Sequence, residues 1–321
     1  MKNKIKIDKK IFVLIMLIMI LITSTYAWFT VNKNVRVNGL NVQVETSGNI
    51  EISADAINWK TEIGRDDLLE NVKSTYPNAI NQLPSEGIYP VSSAGNVTSG
   101  LLDMFYGQVK VNEQTGEYNL FASKETEQQG EKGRFIAFDI FLKVNKDTTV
   151  YINSTSQIKS TGLINKDKST GIENAARIAV LNQGNGETAS QVQNLRGATS
   201  ATIIEPNYDV HTTSGIANAE RIYNISGLKE SGNASLEYYG IKDEISNGTL
   251  LSDTTSTYFS LVKPEINLEE NFFNGGNTKE LINLKKGITK IRIYMWIEGQ
   301  DVDCEDDASG AIINFDLQLT T

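Results

Sequence analysis

Apolar and polar residues alternate with a period of two in several stretches of this chain, each about the length of a strand. Arg134–Val144 reads RFIAFDIFLKV and sets Ile136, Phe138, Ile140, Leu142 and Val144 on one face. Lys290–Glu298 (KIRIYMWIE) does the same with Ile291, Ile293, Met295 and Ile297, and Ala311–Thr320 with Ile313, Phe315, Leu317 and Leu319. A further run, Val35, Val37, Leu40, Val42 and Val44, loses phase once at Asn38-Gly39, where a bulge or a tight turn fits. Asp66–Lys73 reads as a helix, and its acidic start suits the positive end of one. Short alternating strands between Gly, Asn and Ser turns predict an all-β sandwich with one face of each sheet buried. Between about residues 153 and 264, Ser, Thr, Asn and Gly dominate, and strands such as Arg177–Leu181 and Tyr258–Val262 stand isolated. That composition predicts a long decorated insertion between core strands.

The start of the chain has a different grammar. Five lysines and one aspartate occupy the first ten residues, and Ile11 to Ile22 is an unbroken run of 12 apolar residues. Small and polar residues follow, with Thr25 and Ala27 at the −3 and −1 positions of a cleavage site. This three-part layout predicts a secretory signal peptide over residues 1–27, cut by a signal peptidase. The rival is an uncleaved anchor from Ile11 to Phe29, which is the only membrane contact the sequence offers. The chain then divides into a leader, an N-terminal strand over 28–46, and a sandwich over 47–321. The full chain carries 30 Lys+Arg against 39 Asp+Glu. Without the leader's five lysines and one aspartate that becomes 25 against 38, a net charge of −13. Such an acidic surface disfavours nucleic acid, anionic lipid and other polyanions as partners. The single cysteine, Cys304, rules out an internal disulfide.

The side chains of hydrolytic chemistry are scarce. His211 is the only histidine, so two zinc-binding imidazoles one helical turn apart are excluded. It lies in NYDVHTTSG, with no Gly-x-Ser-x-Gly elbow nearby, and reads as a surface histidine. The sequence therefore predicts no catalytic residues. The densest polar stretch is WIEGQDVDCEDDASG, where Glu298, Asp301, Asp303, Glu305, Asp306 and Asp307 follow a strong strand. Its first reading is a solvated acidic loop. The alternative is a calcium site through Glu298, Asp301 and Asp303, since hard oxygen ligands at alternate positions suit that ion. The spacing is not that of an EF-hand.

The stretch TYAWFTVNKNVRVNGLNVQVE resembles the start of the TasA/camelysin family of Gram-positive biofilm matrix proteins. Ala27 stands where the family has its cleavage alanine, Trp28-Phe29 where it has an aromatic entry, and Gly39, Leu40 and Val42 where a short strand follows a glycine. Thr30-Val31 departs from the family pattern. The resemblance implies a jelly-roll-like sandwich that polymerises into extracellular fibres, the N-terminal strand of one subunit completing the sheet of the next. The metalloprotease activity ascribed to some camelysin relatives is not carried over, because the histidines are missing. A strand at a freshly cut terminus suits such pairing, with main-chain bonds giving affinity and Trp28, Phe29, Val35, Val37, Leu40, Val42 and Val44 giving register. The same strand can instead pair within its own sandwich. The function expected is a secreted, non-enzymatic fibre subunit whose partner is itself. The alternative is a monomeric binding module that recognises a glycan or host protein through the insertion.

Overall fold

The computed structural model describes residues 34–45, 50–111, 118–163, 170–223, 225–232, 237–250, 257–304 and 310–321. The leader with Thr25 and Ala27, the aromatic pair Trp28-Phe29, and Glu305, Asp306 and Asp307 lie outside the described residues. Of the described residues, strands account for 50% and helices for 12%, so the fold is all-β. The first strands are β1 (Arg36–Val44), β2 (Ile50–Ser53) and β3 (Glu62–Gly64). Two short strands, β4 (Val97–Thr98) and β5 (Leu101–Leu102), lead into a hairpin of β6 (Met104–Val111) and β7 (Tyr118–Glu125). β8 (Ile136–Val144), β9 (Thr148–Asn153), β10 (Gln157–Leu163), β11 (Ala176–Gly186) and β12 (Thr202–Pro206) precede a helix, Thr213–Tyr223. After it come β13 (Tyr238–Ile241), β14 (Ile245–Leu250), β15 (Phe259–Val262) and β16 (Ile266–Leu268). The last are β17 (Thr278–Leu284), β18 (Gly287–Ile297) and β19 (Ala311–Thr320).

Two six-stranded sheets carry the fold. The first runs β17-β9-β19-β1-β3, with β10 also bonded to β19, and the second runs β16-β12-β11-β18-β8-β2. The alternation explains how they pack. Leu40, Val42, Phe315 and Leu317 of the first sheet share one core with Phe138, Ile140, Ile291 and Ile293 of the second. The phase break in the first strand is a bulge: the pairing of β1 with β19 shifts register between Val37 and Gly39.

Two expectations need correction. The second sheet is buried on both faces, because β18 is buried along its length from Ile288 to Ile297. Its outer face, with Tyr294, Trp296, Ala179, Leu181 and Ile203, packs in a second cluster with Val91, Leu102, Met104 and Tyr238. The stretch from about 153 to 264 is not a separate insertion either. β11 lies inside the second sheet between β12 and β18, and β10 pairs with β19. Only its later part is peripheral: Ala219, Ile241, Ile245 and Phe259 pack with Phe105 and Leu120 of the β6–β7 hairpin in a third, smaller cluster.

Candidate functional site

β1 fills an internal slot. It runs parallel to β19, with Leu40 opposite Phe315, Val42 opposite Leu317 and Val44 opposite Leu319. On its other side it pairs antiparallel with β3, Val42 opposite Ile63. Within the single chain the strand is therefore paired in cis, between two neighbours. Val35, Leu40, Val42 and Val44 are buried, and Val37 packs against the same core from a half-buried position. At roughly 1.5–3 kcal/mol per fully buried aliphatic side chain, these four contribute on the order of 6–12 kcal/mol as an upper bound. At the bulge, a Cβ added at Gly39 would stand 3.3 Å from the Asn314 side-chain oxygen, so the position is crowded on that side.

The acidic stretch after β18 is not a solvated loop. Glu298, Asp301 and Asp303 are all buried. Each carboxylate has its own protein donors. Glu298 Oε2 accepts from Trp296 Nε1 at 3.0 Å and from the Ser93 N–H at 3.3 Å, and Oε1 accepts from the Gln300 N–H at 3.0 Å. Asp301 Oδ2 accepts from Arg177 Nη2 at 2.5 Å, and Oδ1 takes the Asp303 N–H at 2.8 Å. Asp303 Oδ1 takes the Thr212 N–H and hydroxyl at 2.7 and 2.9 Å. The predicted calcium ligands thus point at different partners, and among the described residues no three His, Cys, Asp or Glu side chains converge in a geometry that could hold a metal. The physical reason lies in charge pairing: Arg177, fully buried, bridges Asp301 and Glu205, the latter at 2.7 Å.

His211 is buried as well, contrary to its reading as a surface residue. Its Nδ1 lies 2.7 Å from Asp303 Oδ2, a pairing that offsets the cost of taking an imidazole out of water. Its Nε2 is buried, and no side chain among the described residues bonds it. The Asp–His pair ties the segment before helix Thr213–Tyr223 to the segment after β18.

A second buried charge network went unread in the sequence. Asp139 on β8 is held by Arg292 Nη1 at 2.8 Å and Lys290 Nζ at 3.2 Å, both on the outer face of β18. Tyr76 donates its hydroxyl to Asp139 at 2.7 Å, and Arg292 and Tyr294 also bond Glu127. Burial pushes Asp139 up, but the two cations outweigh it and hold the carboxyl below its ordinary value. Lys290 is pushed down, chiefly by burial.

These shifts set a pH dependence. Burial raises Glu298 from 4.5 to about 7 against the bonds that favour its anion. Burial lowers His211, yet the Asp303 carboxylate outweighs it and the imidazole titrates above its ordinary value. Glu298 keeps its proton in the folded state between 4.5 and about 7, so it weakens folding progressively as pH rises through that window. His211 stabilises fully below its unfolded value and loses that contribution as pH rises through its folded one. Both act in the same direction. Asp55, lowered to about 2 by hydrogen bonds from Thr75, Asn58 and Ile57 that overcome its burial, opposes them only in strong acid. Stability in urea should therefore rise by about 2–3 kcal/mol from pH 8 to pH 5. A stability that is flat or falls over that range would remove the proton from this cluster.

No family model matches the chain, and comparison with curated proteins and with solved structures finds no match.

Proposed function

We propose that the protein is a secreted structural subunit of an extracellular fibre or biofilm matrix, and that it polymerises by exchanging its N-terminal strand. The observation that carries this reading is the slot of β1, which is bonded on one side to β19 and on the other to β3. Emptying that slot bares the β19 edge and an apolar floor, and an identical strand from a second copy restores the same bonds. Replacing a strand in cis by the same strand in trans makes no new kind of contact, which keeps the exchange low in cost. Head-to-tail exchange yields an open filament wherever the rotation between successive copies does not close a ring. The acidic composition, the predicted leader and the resemblance of residues 25–45 to the start of the TasA/camelysin family support the same reading, with a jelly-roll-like sandwich and no enzymatic activity. Signal peptidase and further copies of the chain are the partners it requires.

Two measurements test it together. N-terminal sequencing of exported protein should begin at Trp28, and negative-stain microscopy of that protein should show filaments. Membrane-bound protein that still begins at Met1 would revive the anchor. Dispersed particles at every concentration would leave β1 as a plain core strand.

A further inference from the structure

The entry of β1 into its slot is held by a separate device, formed by neither sheet. Val35, just before the strand, exchanges both main-chain bonds with Ile88: each N–H donates to the other's carbonyl at 2.8 Å. The Asn34 side chain donates to the Glu86 carbonyl at 3.0 Å, and the Gly310 N–H donates to the Asn34 carbonyl, also at 3.0 Å. Val35 and Ile88 are both buried in the main core. Between Glu86 and Ile88, Gly87 has φ +114°, and a Cβ there would stand 2.7 Å from the Val35 carbonyl oxygen. Only a glycine lets the loop backbone come this close.

The bulge gives this contact its meaning. Because register shifts between Val37 and Gly39, the buried positions before it are odd-numbered (Val35) and those after it even-numbered (Leu40, Val42, Val44). A strand of unbroken alternation can satisfy one half of the slot and not the other. We infer that residues 86–88, with Gly87 at the point of contact, form a latch that reads the register of whichever strand fills the slot, the chain's own or one from a second copy. The second occupant rests on the proposed strand exchange; the latch itself does not. The spacing from Val35 to the bulge is then the length that an entering strand must match.

The test uses full-length protein carrying Val35→Cys with Ile88→Cys. A pair that exchanges both bonds has Cα atoms roughly 5.5 Å apart, inside the range a disulfide bridges. A control protein carries Val42→Cys with Leu317→Cys, partners across β1 and β19. Mild oxidation should cross-link both. Adding Gly87→Ala should cut the 35–88 cross-link at least ten-fold and leave 42–317 formed. Gly130→Ala separates strain from contact, because Gly130 also has positive φ (+90°) but nothing within 4 Å of its added Cβ. It should leave both cross-links intact. If 42–317 forms while 35–88 does not, or if Gly87→Ala changes nothing, the latch is wrong and strand exchange still stands. If neither forms, the strand is out of the slot and the latch falls with it. A non-reducing gel supplies the independent reading: cross-links confined to monomer count against strand exchange but not against the latch, whereas a ladder supports both.

Discussion

Arg177→Met should destabilise the protein by about 3–5 kcal/mol in urea titration, more than any other single substitution considered. The guanidinium is fully buried. It bonds Glu205 at 2.7 Å, Asp301 at 2.5 Å, and the Asn174 and Ala176 carbonyls at 2.9 Å each, and it lies 5.1 Å from the centre of the Tyr238 ring. Removing it strands two buried carboxylates, and the loss measures their abandonment, which exceeds the net worth of the pairing. Two further variants separate these effects. Arg177→Lys keeps the charge but not the planar fork, so it should fall between wild type and Met. Adding Glu205→Gln and Asp301→Asn to Arg177→Met removes the stranded charges and should recover a substantial part of the loss. The deficit of Arg177→Met alone should also shrink in acid, where the carboxylates can take up protons. A loss below about 1 kcal/mol, equal at pH 8 and pH 5, would mean that the cluster is open to water.

The same cluster marks what could not be read from the sequence. Alternation tells which residues share a face of a strand, and β8, β18, β19 and the broken phase of β1 were legible for that reason. It does not tell what covers the other face. Asp139 within FIAFDIFL, and Lys290 and Arg292 within KIRIYMWIE, read as solvent-facing, yet all three are buried. Each became affordable only through partners distant in sequence: Arg292 meets Asp139 across 153 positions. β11 was undervalued for the converse reason. Ile178 and Val180 face one core and Ala179 and Leu181 the other, so a strand buried on both sides shows little alternation and is hard to tell from an isolated apolar run. His211 and Asp303 lie 92 residues apart, and no local pattern joins them. The one local signal was the crowding of acids after a strong strand, and it read as a solvated loop or a calcium site because the side chain that pairs with it, Arg177, lies 124 residues away.

Deleting residues 28–46 should leave an exported subunit that does not polymerise and melts well below wild type. The slot loses four buried aliphatic side chains together with the main-chain bonds to β19 and β3, so its apolar floor is exposed. A synthetic peptide of residues 28–46 should then restore stability by mass action, about 2.7 kcal/mol at a hundred-fold excess over its Kd. A peptide with Val42→Asp and Val44→Asp should have no effect, because both positions face the core and each would carry an unpaired charge into it. The decisive arm mixes the deletion variant with full-length protein. If strands exchange, the variant offers an empty slot to the end of every growing fibre and should be found bound there. In a dilute monomer the cis pairing should protect the amides of Val42 and Val44 from hydrogen exchange, Val44 donating to the Thr61 carbonyl at 2.8 Å. At fibre-forming concentration that protection should persist while labelled and unlabelled chains trade strands. A protected strand that never trades, in a variant that no peptide rescues, would make β1 an ordinary core strand and end the case for exchange.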